Sequence, residues 1–501
     1  MEKIKIIISM LLLAVVCPAF GQYRPHFAAS LSGYVGSGDT LSFWAVTNRH
    51  GIVPVSNGGL LTLAINSGGM NSFKQGKSDF GWAYGASFAG QLYSEKGSVS
   101  GDAATTIRAK ALIDQLYVSG SWKKLRLDLG MRYRGTGSDR TMDENGDYIG
   151  DFNGVGVSNG SVIMSGNSRN FPGYGISLDP VAVPWTAHKL WVWGSFGDYM
   201  MLDNRYVAHA MLHNQAFYLK FNITKRLDIT AGFDHWAMWG GTNPDGTLNP
   251  NGFGNYIRIL LCKQGGDDAK LGDQANVLGD HKGRTLARLT YTADNYKISL
   301  SKDSPYEDAS GIRWQNFPDG VWSLYFGHND KNRWVSDVIY EYIYTKWQSG
   351  SAHDRPATEE EKAKQDPSDL HYGIIILGGC DSYFGHSTYR SGWTNYGQIM
   401  GLPLISLDNN RLTGHHFGIK GKIAKVAPYR LMVTYTRNYG KYRQTNKKFD
   451  SAPRQLSFGL DGELPQWGRV PFVVTYGFYF DKGQLYRDNI SCSVGVKFLT
   501  L

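Results

Sequence analysis

Lys124-Leu125-Arg126-Leu127-Asp128-Leu129-Gly130-Met131-Arg132-Tyr133 decides how the rest of this chain is read. In an extended strand side chains alternate between faces. Leu125, Leu127, Leu129, Met131 and Tyr133 therefore share one face, and Lys124, Arg126, Asp128 and Arg132 the other. A soluble sandwich also alternates, so parity alone does not decide. Charges well inside a strand favour a closed membrane barrel, where a wet or plugged lumen satisfies the polar face and lipid covers the apolar one.

The pattern recurs along the sequence. Phe217, Leu219, Phe221 and Ile223 oppose Tyr218, Lys220 and Asn222. Ala287 to Ser301 reads as a hairpin turning at Asp294-Asn295, with Leu289, Tyr291, Ile298 and Leu300 against Arg288, Thr290, Lys297 and Ser299. Phe417, Ile419 and Ile423 oppose His416, Lys420 and Lys422, and Tyr429, Leu431, Val433 and Tyr435 oppose Arg430, Thr434 and Asn438. A last strand begins at Ile490, with Cys492, Val494, Val496 and Phe498 on its apolar face. Tyr and Trp gather near strand ends, as an interfacial girdle requires. At about 25 residues per strand with its turn or loop, the chain has room for roughly 18 strands.

Composition agrees. The 501 residues include 61 Gly, 30 Tyr and 14 Trp, and 13% are aromatic, which excludes a disordered chain. Net charge is +9, and +8 without residues 1–21, a mild excess that speaks against a nucleic-acid-binding block. Lys3, Lys5 and the apolar run Ile6 to Phe20, followed by Ala19-Phe20-Gly21, read as a signal peptide with a mature start near Gln22. That run is too short to span a membrane comfortably. Cys17 invites a lipoprotein reading, but Val16 occupies the place of a small residue. No later stretch approaches a transmembrane helix.

The expected domains are a signal peptide at 1–21, an N-terminal plug or periplasmic segment at 22–60, where alternation is poor, and a barrel over 61–501. Short connections fall near 224–226, 294–295 and 425–428. Long polar ones fall at roughly 135–160, 240–256, 262–284, 348–372, 380–413 and 439–452. Glu359 to Lys364 reads as a helical turn inside one of them.

Local motifs for chemistry are weak. Gly156-Val157-Ser158-Asn159-Gly160 fits a nucleophile elbow, but no helical pattern follows it. Asp143-Glu144-Asn145-Gly146-Asp147 resembles a calcium loop with its Gly misplaced and no closing Glu. Cys262, Cys380 and Cys492 offer neither a disulfide framework nor metal-ligand spacing, and the 13 His show no helical ligand pair. No cofactor or metal is expected.

Eight segments, in order, resemble the Wzi family of capsule assembly proteins in its Bacteroides-type form. Phe43-Trp44 with Asn48 and Gly51 opens the series, with Ser42 where the family usually has Pro. Met164-Ser165-Gly166-Asn167 with Arg169 and Pro172 follows, then His213 with Tyr218 and Leu219, and His235 with Trp239-Gly240-Gly241. Gln348-Ser349-Gly350 comes after Tyr342 and Thr345. The most distinctive block is Asp381-Ser382-Tyr383, Tyr389, Ser391-Gly392-Trp393 and Tyr396-Gly397. Asn409-Asn410-Arg411 with His415-His416, and Arg437-Asn438-Tyr439-Gly440, complete it.

The resemblance implies an all-β transmembrane antiparallel barrel of about 18 strands in the outer membrane. It further implies small N-terminal or periplasmic helical elements, a plugged lumen and a lectin-like role. The partners would be outer-membrane lipid, capsular or surface polysaccharide, and the polysaccharide export machinery. Sugars pack C–H faces on aromatic rings and need polar partners for their hydroxyls. The expected stacking surfaces are Trp236, Trp239, Tyr383, Trp393 and Tyr396, with Arg169, Asn170, His213, His235 and Asn395 as polar partners. The plainer reading is that these residues form a buried lumen network or a girdle that holds the barrel shut. A porin or uptake channel, and a barrel enzyme acting on lipid or glycan, are the competing functions.

Overall fold

A strand with one greasy and one charged face satisfies both when its sheet closes on itself, which also removes unpaired edges. The computed structural model describes residues 25–67, 71–72, 79–99, 102–133, 156–167, 169–202, 205–307, 309–350, 352–369, 372–377, 379, 381–390, 401–442 and 446–498. Its architecture is a closed antiparallel barrel of 18 strands. The first nine are β1 (His26–Gly36), β2 (Gly58–Asn66), β3 (Phe80–Val99), β4 (Asp102–Trp122), β5 (Leu125–Met131), β6 (Gly173–Ala182), β7 (Leu190–Met200), β8 (Met211–Asn222) and β9 (Leu227–Trp239). The rest are β10 (Asp280–Thr292), β11 (Tyr296–Tyr306), β12 (Gly320–His328), β13 (Asp337–Tyr344), β14 (Leu412–Ile423), β15 (Ala427–Asn438), β16 (Arg454–Glu463), β17 (Phe472–Gly483) and β18 (Asn489–Phe498). Each strand pairs with the next, and β18 returns to β1 with Leu31 opposite Val496 and Val35 opposite Cys492.

The alternation sets the faces. Leu125, Leu127 and Leu129 point outward and are exposed, whereas Arg126 and Asp128 are buried inward. There Asp128 pairs with Arg132 at 2.6 Å. Phe217, Leu219 and Phe221 stand outside while Tyr218 is fully buried inside. An outward charge at mid-strand would cost about 2–4 kcal/mol in lipid.

Connections alternate between two ends. The turns after β4, β6, β8, β10 and β14 are short, and exposed Phe80, Trp122, Trp185, Trp334 and Trp467 ring that end. The connections after β5, β9, β13 and β15 are long and all emerge at the other end. Two pairs of segments expected as separate loops are single excursions, 240–279 and 345–411. The expected helical turn is present at Glu359–Lys362, capped reciprocally by Thr358 and Glu361.

The N-terminal segment departs from the expectation of a piece standing before the barrel. His26–Gly36 is a wall strand, paired on both edges. Its outward residues Phe27, Leu31 and Val35 are separated by Ala29 and Gly33, too small to show the alternation clearly. Residues 37–57 then turn into the lumen through the short helix α1 (Phe43–Val46). The proposed signal peptide lies outside the described residues.

Candidate functional site

Two coils of chain occupy the lumen, and their backbone groups lack strand partners, so the wall must supply them. Residues 156–167 are held by inward side chains. His416 meets the Val157 carbonyl at 2.6 Å through Nε2 and Thr434 at 2.7 Å through Nδ1. Glu341 accepts from the Ser158 hydroxyl at 2.6 Å and the Asn159 N–H at 2.8 Å. Arg430 donates to the Gly156 carbonyl at 2.6 Å, and Asp303 accepts from the Val162 N–H at 3.2 Å. Gly418 on β14 permits the approach, since a Cβ there would sit 2.2 Å from the Val157 oxygen. The Ser158 hydroxyl of the elbow-like motif is thus a buried donor in the plug.

The first coil locks onto the second. Asn48 N–H donates to the Asn167 side chain at 2.7 Å, and His50 N–H donates to the Gly166 carbonyl at 2.6 Å. Trp44 is buried against β16 beside Gly459 and donates its indole N–H to Thr434 at 3.2 Å. Arg49 pairs with Asp461 at 2.5 Å. Above these, Val162, Ile163, Tyr383, Phe384, Leu402 and Leu404 form an apolar core with inward Leu212, Met238, Val321 and Ile343. Tyr383 donates to Asp319 at 2.6 Å, whose carboxyl burial pushes up to about 6.

The second arrangement lies outside the wall. Ile229 and Phe233 face outward, so His235 and Trp239, on the same parity of the unbroken β9 ladder, do too. His213, in line with outward Phe217, shares that face. Yet His213, His235 and Trp239 are buried, because the 240–279 excursion folds back over them. Its helix α2 (Phe253–Leu260) packs Ile259 with Ala269 and Leu278 around Trp239. Tyr256 donates to Asp198 at 2.8 Å, and His213 meets the other oxygen of Asp198 at 2.9 Å.

The expected sugar contacts therefore divide. Tyr383 belongs to the plug core, and His213, His235 and Trp239 lie under the outer cover. They match the plainer reading of a buried network, but on the outer rather than the lumen face for the last three. Arg169 and Asn170 donate to the carbonyls of Ile113 and Asp114 at 2.6 and 3.0 Å, where an extra residue bulges β4 out of register. Trp236 faces the lumen, stacks with Tyr199 at 5.9 Å and lines a cavity of about 60 Å³ with Arg169, Asn170 and His50. Its buried indole N–H has no hydrogen-bond partner there. That volume suits a few waters, not a sugar ring. Trp393, Asn395 and Tyr396 lie outside the described residues.

Sequence reasoning missed a set of cations at the long-loop end, each stacked on tyrosine. Arg411 lies 3.6 Å over Tyr442, Lys346 lies 3.9 Å over Tyr439 with Arg437 at 5.5 Å, and Arg390 lies 3.8 Å over Tyr206. His353 stacks on Tyr442 at 4.1 Å. Arg411 and Arg437 adjoin the Asn-rich segments 409–410 and 438, which was the available signal.

No family model matches this sequence, and no curated protein matches it. Solved structures do. Wzi of Escherichia coli, described as an outer membrane protein involved in group 1 capsule assembly and a carbohydrate-binding β-barrel, aligns with a TM-score of 0.50 at 12% identity, over 94% of this chain and 84% of that one. OccK3 of Pseudomonas aeruginosa aligns at 0.43 and 12% identity, over 95% of this chain and 96% of that one. OccAB1 of Acinetobacter baumannii aligns at 0.44 and 8%, over 96% and 99%. The architecture is that of an outer-membrane β-barrel. In barrels of this architecture short turns face the periplasm and long loops the exterior. At the short-turn end a cavity of about 410 Å³, lined by Tyr34, Arg430, Asp461, Tyr479 and Lys497, stops at plug residue Arg49.

Proposed function

We propose that this barrel binds an acidic capsular or surface polysaccharide and holds it at the cell surface. The observation that carries the reading is the set of cations fixed on tyrosine rings at the extracellular end, above a lumen filled by two coils. Stacking orders Lys346, Arg390, Arg411 and Arg437 in advance, so less side-chain entropy is lost when they meet sugar carboxylates. Each contact is weak and screened by salt, and a long polymer gains hold by repeating it. The chemistry asked of these residues is binding without bond-making. Deleting the coding sequence and scoring cell-attached against released polysaccharide tests the reading. Loss of attachment with synthesis intact is expected, and unchanged attachment contradicts it.

The competing reading is a channel, favoured by the periplasmic cavity, which would be the vestibule of a path that opens when the coils move. Export machinery as a docking partner belongs to the same proposal and would be sought by crosslinking.

A further inference from the structure

We propose that His235, Cys262 and His281 form a binding site for a thiophilic d-block cation, zinc above all, that staples the 240–279 excursion to the outer face of the barrel wall. The three residues are far apart in sequence and come from three elements: β9, the turn after α2, and β10. Their donor atoms all lie within 4.8 Å of one another. His235 Nε2 is 2.8 Å from His281 Nδ1 and 3.8 Å from Cys262 Sγ. A tetrahedral zinc holds nitrogen and sulfur donors about 3.3–3.7 Å apart. The two nitrogens must therefore part by a few tenths of an ångström, while the sulfur draws in.

The surroundings suit a cation with these ligands. His281 Nε2 lies 2.8 Å from the Leu278 carbonyl, which can only accept, so the ring's proton sits there and the Nδ1 lone pair points at the cluster. Both rings are buried, and Tyr306 stacks parallel to His235 at 6.2 Å, fixing its plane. Gln215 stands 3.5 Å from His235 Nδ1. Binding through Nε2 moves that imidazole proton to Nδ1, and the Gln215 amide, whose nitrogen faces that atom and donates to the Leu260 carbonyl at 3.2 Å, would turn over to accept it through its oxygen, giving up the bond to Leu260. The donor set is two imidazoles and one thiolate, which selects zinc or monovalent copper over calcium or magnesium. The thiol proton leaves on binding. Three protein ligands leave a fourth position for water.

Without a cation the same atoms make a satisfied pair, His235 Nε2–H donating to His281 Nδ1, and the experiment separates the two states. The full chain, carrying Cys380→Ser and Cys492→Ser so that Cys262 is its sole thiol after signal-peptide removal, is purified in detergent with a phosphine reductant and stripped with chelator. Cobalt is then added as the spectroscopic probe. The expected result is one ion per chain, with a thiolate-to-cobalt charge-transfer band and the visible bands of tetrahedral cobalt, both displaced by zinc. Cys262→Ser abolishes the charge-transfer band, and His281→Gln the tetrahedral bands, while heat-modifiable electrophoretic migration shows each barrel folded. Zinc also slows proteolysis within 240–279 in the parent and not in Cys262→Ser. A folded parent with a titratable thiol and no charge-transfer band overturns the proposal, as does a band that survives Cys262→Ser.

Discussion

Residues 156–167 lie against the inner face of the wall and residues 240–279 against its outer face, and different forces hold them. The inner coil brings backbone carbonyls and amides to a polar surface, where His416, Glu341, Arg430 and Asp303 receive them. The outer excursion meets a face whose parity was set for lipid, so it brings Ile259, Ala269 and Leu278 to surround Trp239. Its polar contacts with the wall include those of Tyr256 with Asp198, the Leu260 carbonyl with Gln215 and Cys262 with His235, and Lys270 and Asp273 reach Thr388 and His386 beside it. One wall thus requires hydrogen-bond matching on one side and apolar packing on the other. The two regions should fail independently.

The largest effect is expected from Gly418→Val. Its Cβ meets the Val157 oxygen at 2.2 Å, a backbone clash beyond the about 1–3 kcal/mol of ordinary overpacking. Residues 156–167 should leave the lumen, seen as rapid amide exchange there and new ion conductance. Gly120→Ala, where nothing lies within 4 Å of the added Cβ, is the silent control. A plug still protected in Gly418→Val would break the inner half of the comparison.

Trp239→Ala comes next, at about 3–5 kcal/mol of local stability. Proteases should then cut within 240–279 while conductance stays unchanged. Opening of the lumen in this variant would show that the two sides are one unit.

The third effect is pH-dependent and is read on the inside. Glu307 accepts from the Phe384 N–H at 2.8 Å, and Asp319 from the Tyr383 hydroxyl at 2.6 Å. Burial pushes their carboxyls up to about 7 and about 6, from 4.5 and 3.8. The folded state then binds more protons than the unfolded one between those values, so this contribution to stability is full at low pH and lost as pH rises through 6 and 7. Amide protection of 381–390, corrected for intrinsic exchange, should be lower at pH 8 than at pH 5, with no such change in 253–260. Equal protection at both pH values would contradict it.

The smallest effect belongs to the cations of the long-loop end. Tyr439→Ala frees Lys346 and Arg437 and should weaken binding of an acidic polysaccharide by about 0.5–1 kcal/mol, read as a several-fold rise in Kd at low salt. Neutral polysaccharide should be unaffected.

The alternation at Leu125 to Leu129 made the wall and its approximate strand number legible, because period two is a local property. β1 was not legible, since Ala29 and Gly33 dilute its apolar face. The buried state of His235 and Trp239 was hidden for a different reason. Parity says which way a side chain points, not what covers it, and the cover arrives from up to about 40 residues downstream. Trp236 and Trp239 look equivalent in sequence but stand on opposite faces. The cation stacks were hidden because Lys346, Arg411 and Tyr442 meet only when the β13–β14 and β15–β16 connections converge.

The most direct test of the central claim, that the lumen is filled and the outer end does the work, is the conductance of the purified native barrel in a planar bilayer. The structure predicts no steady conductance for the native chain under conditions where Gly418→Val conducts. A stable ohmic channel from the native chain would contradict it.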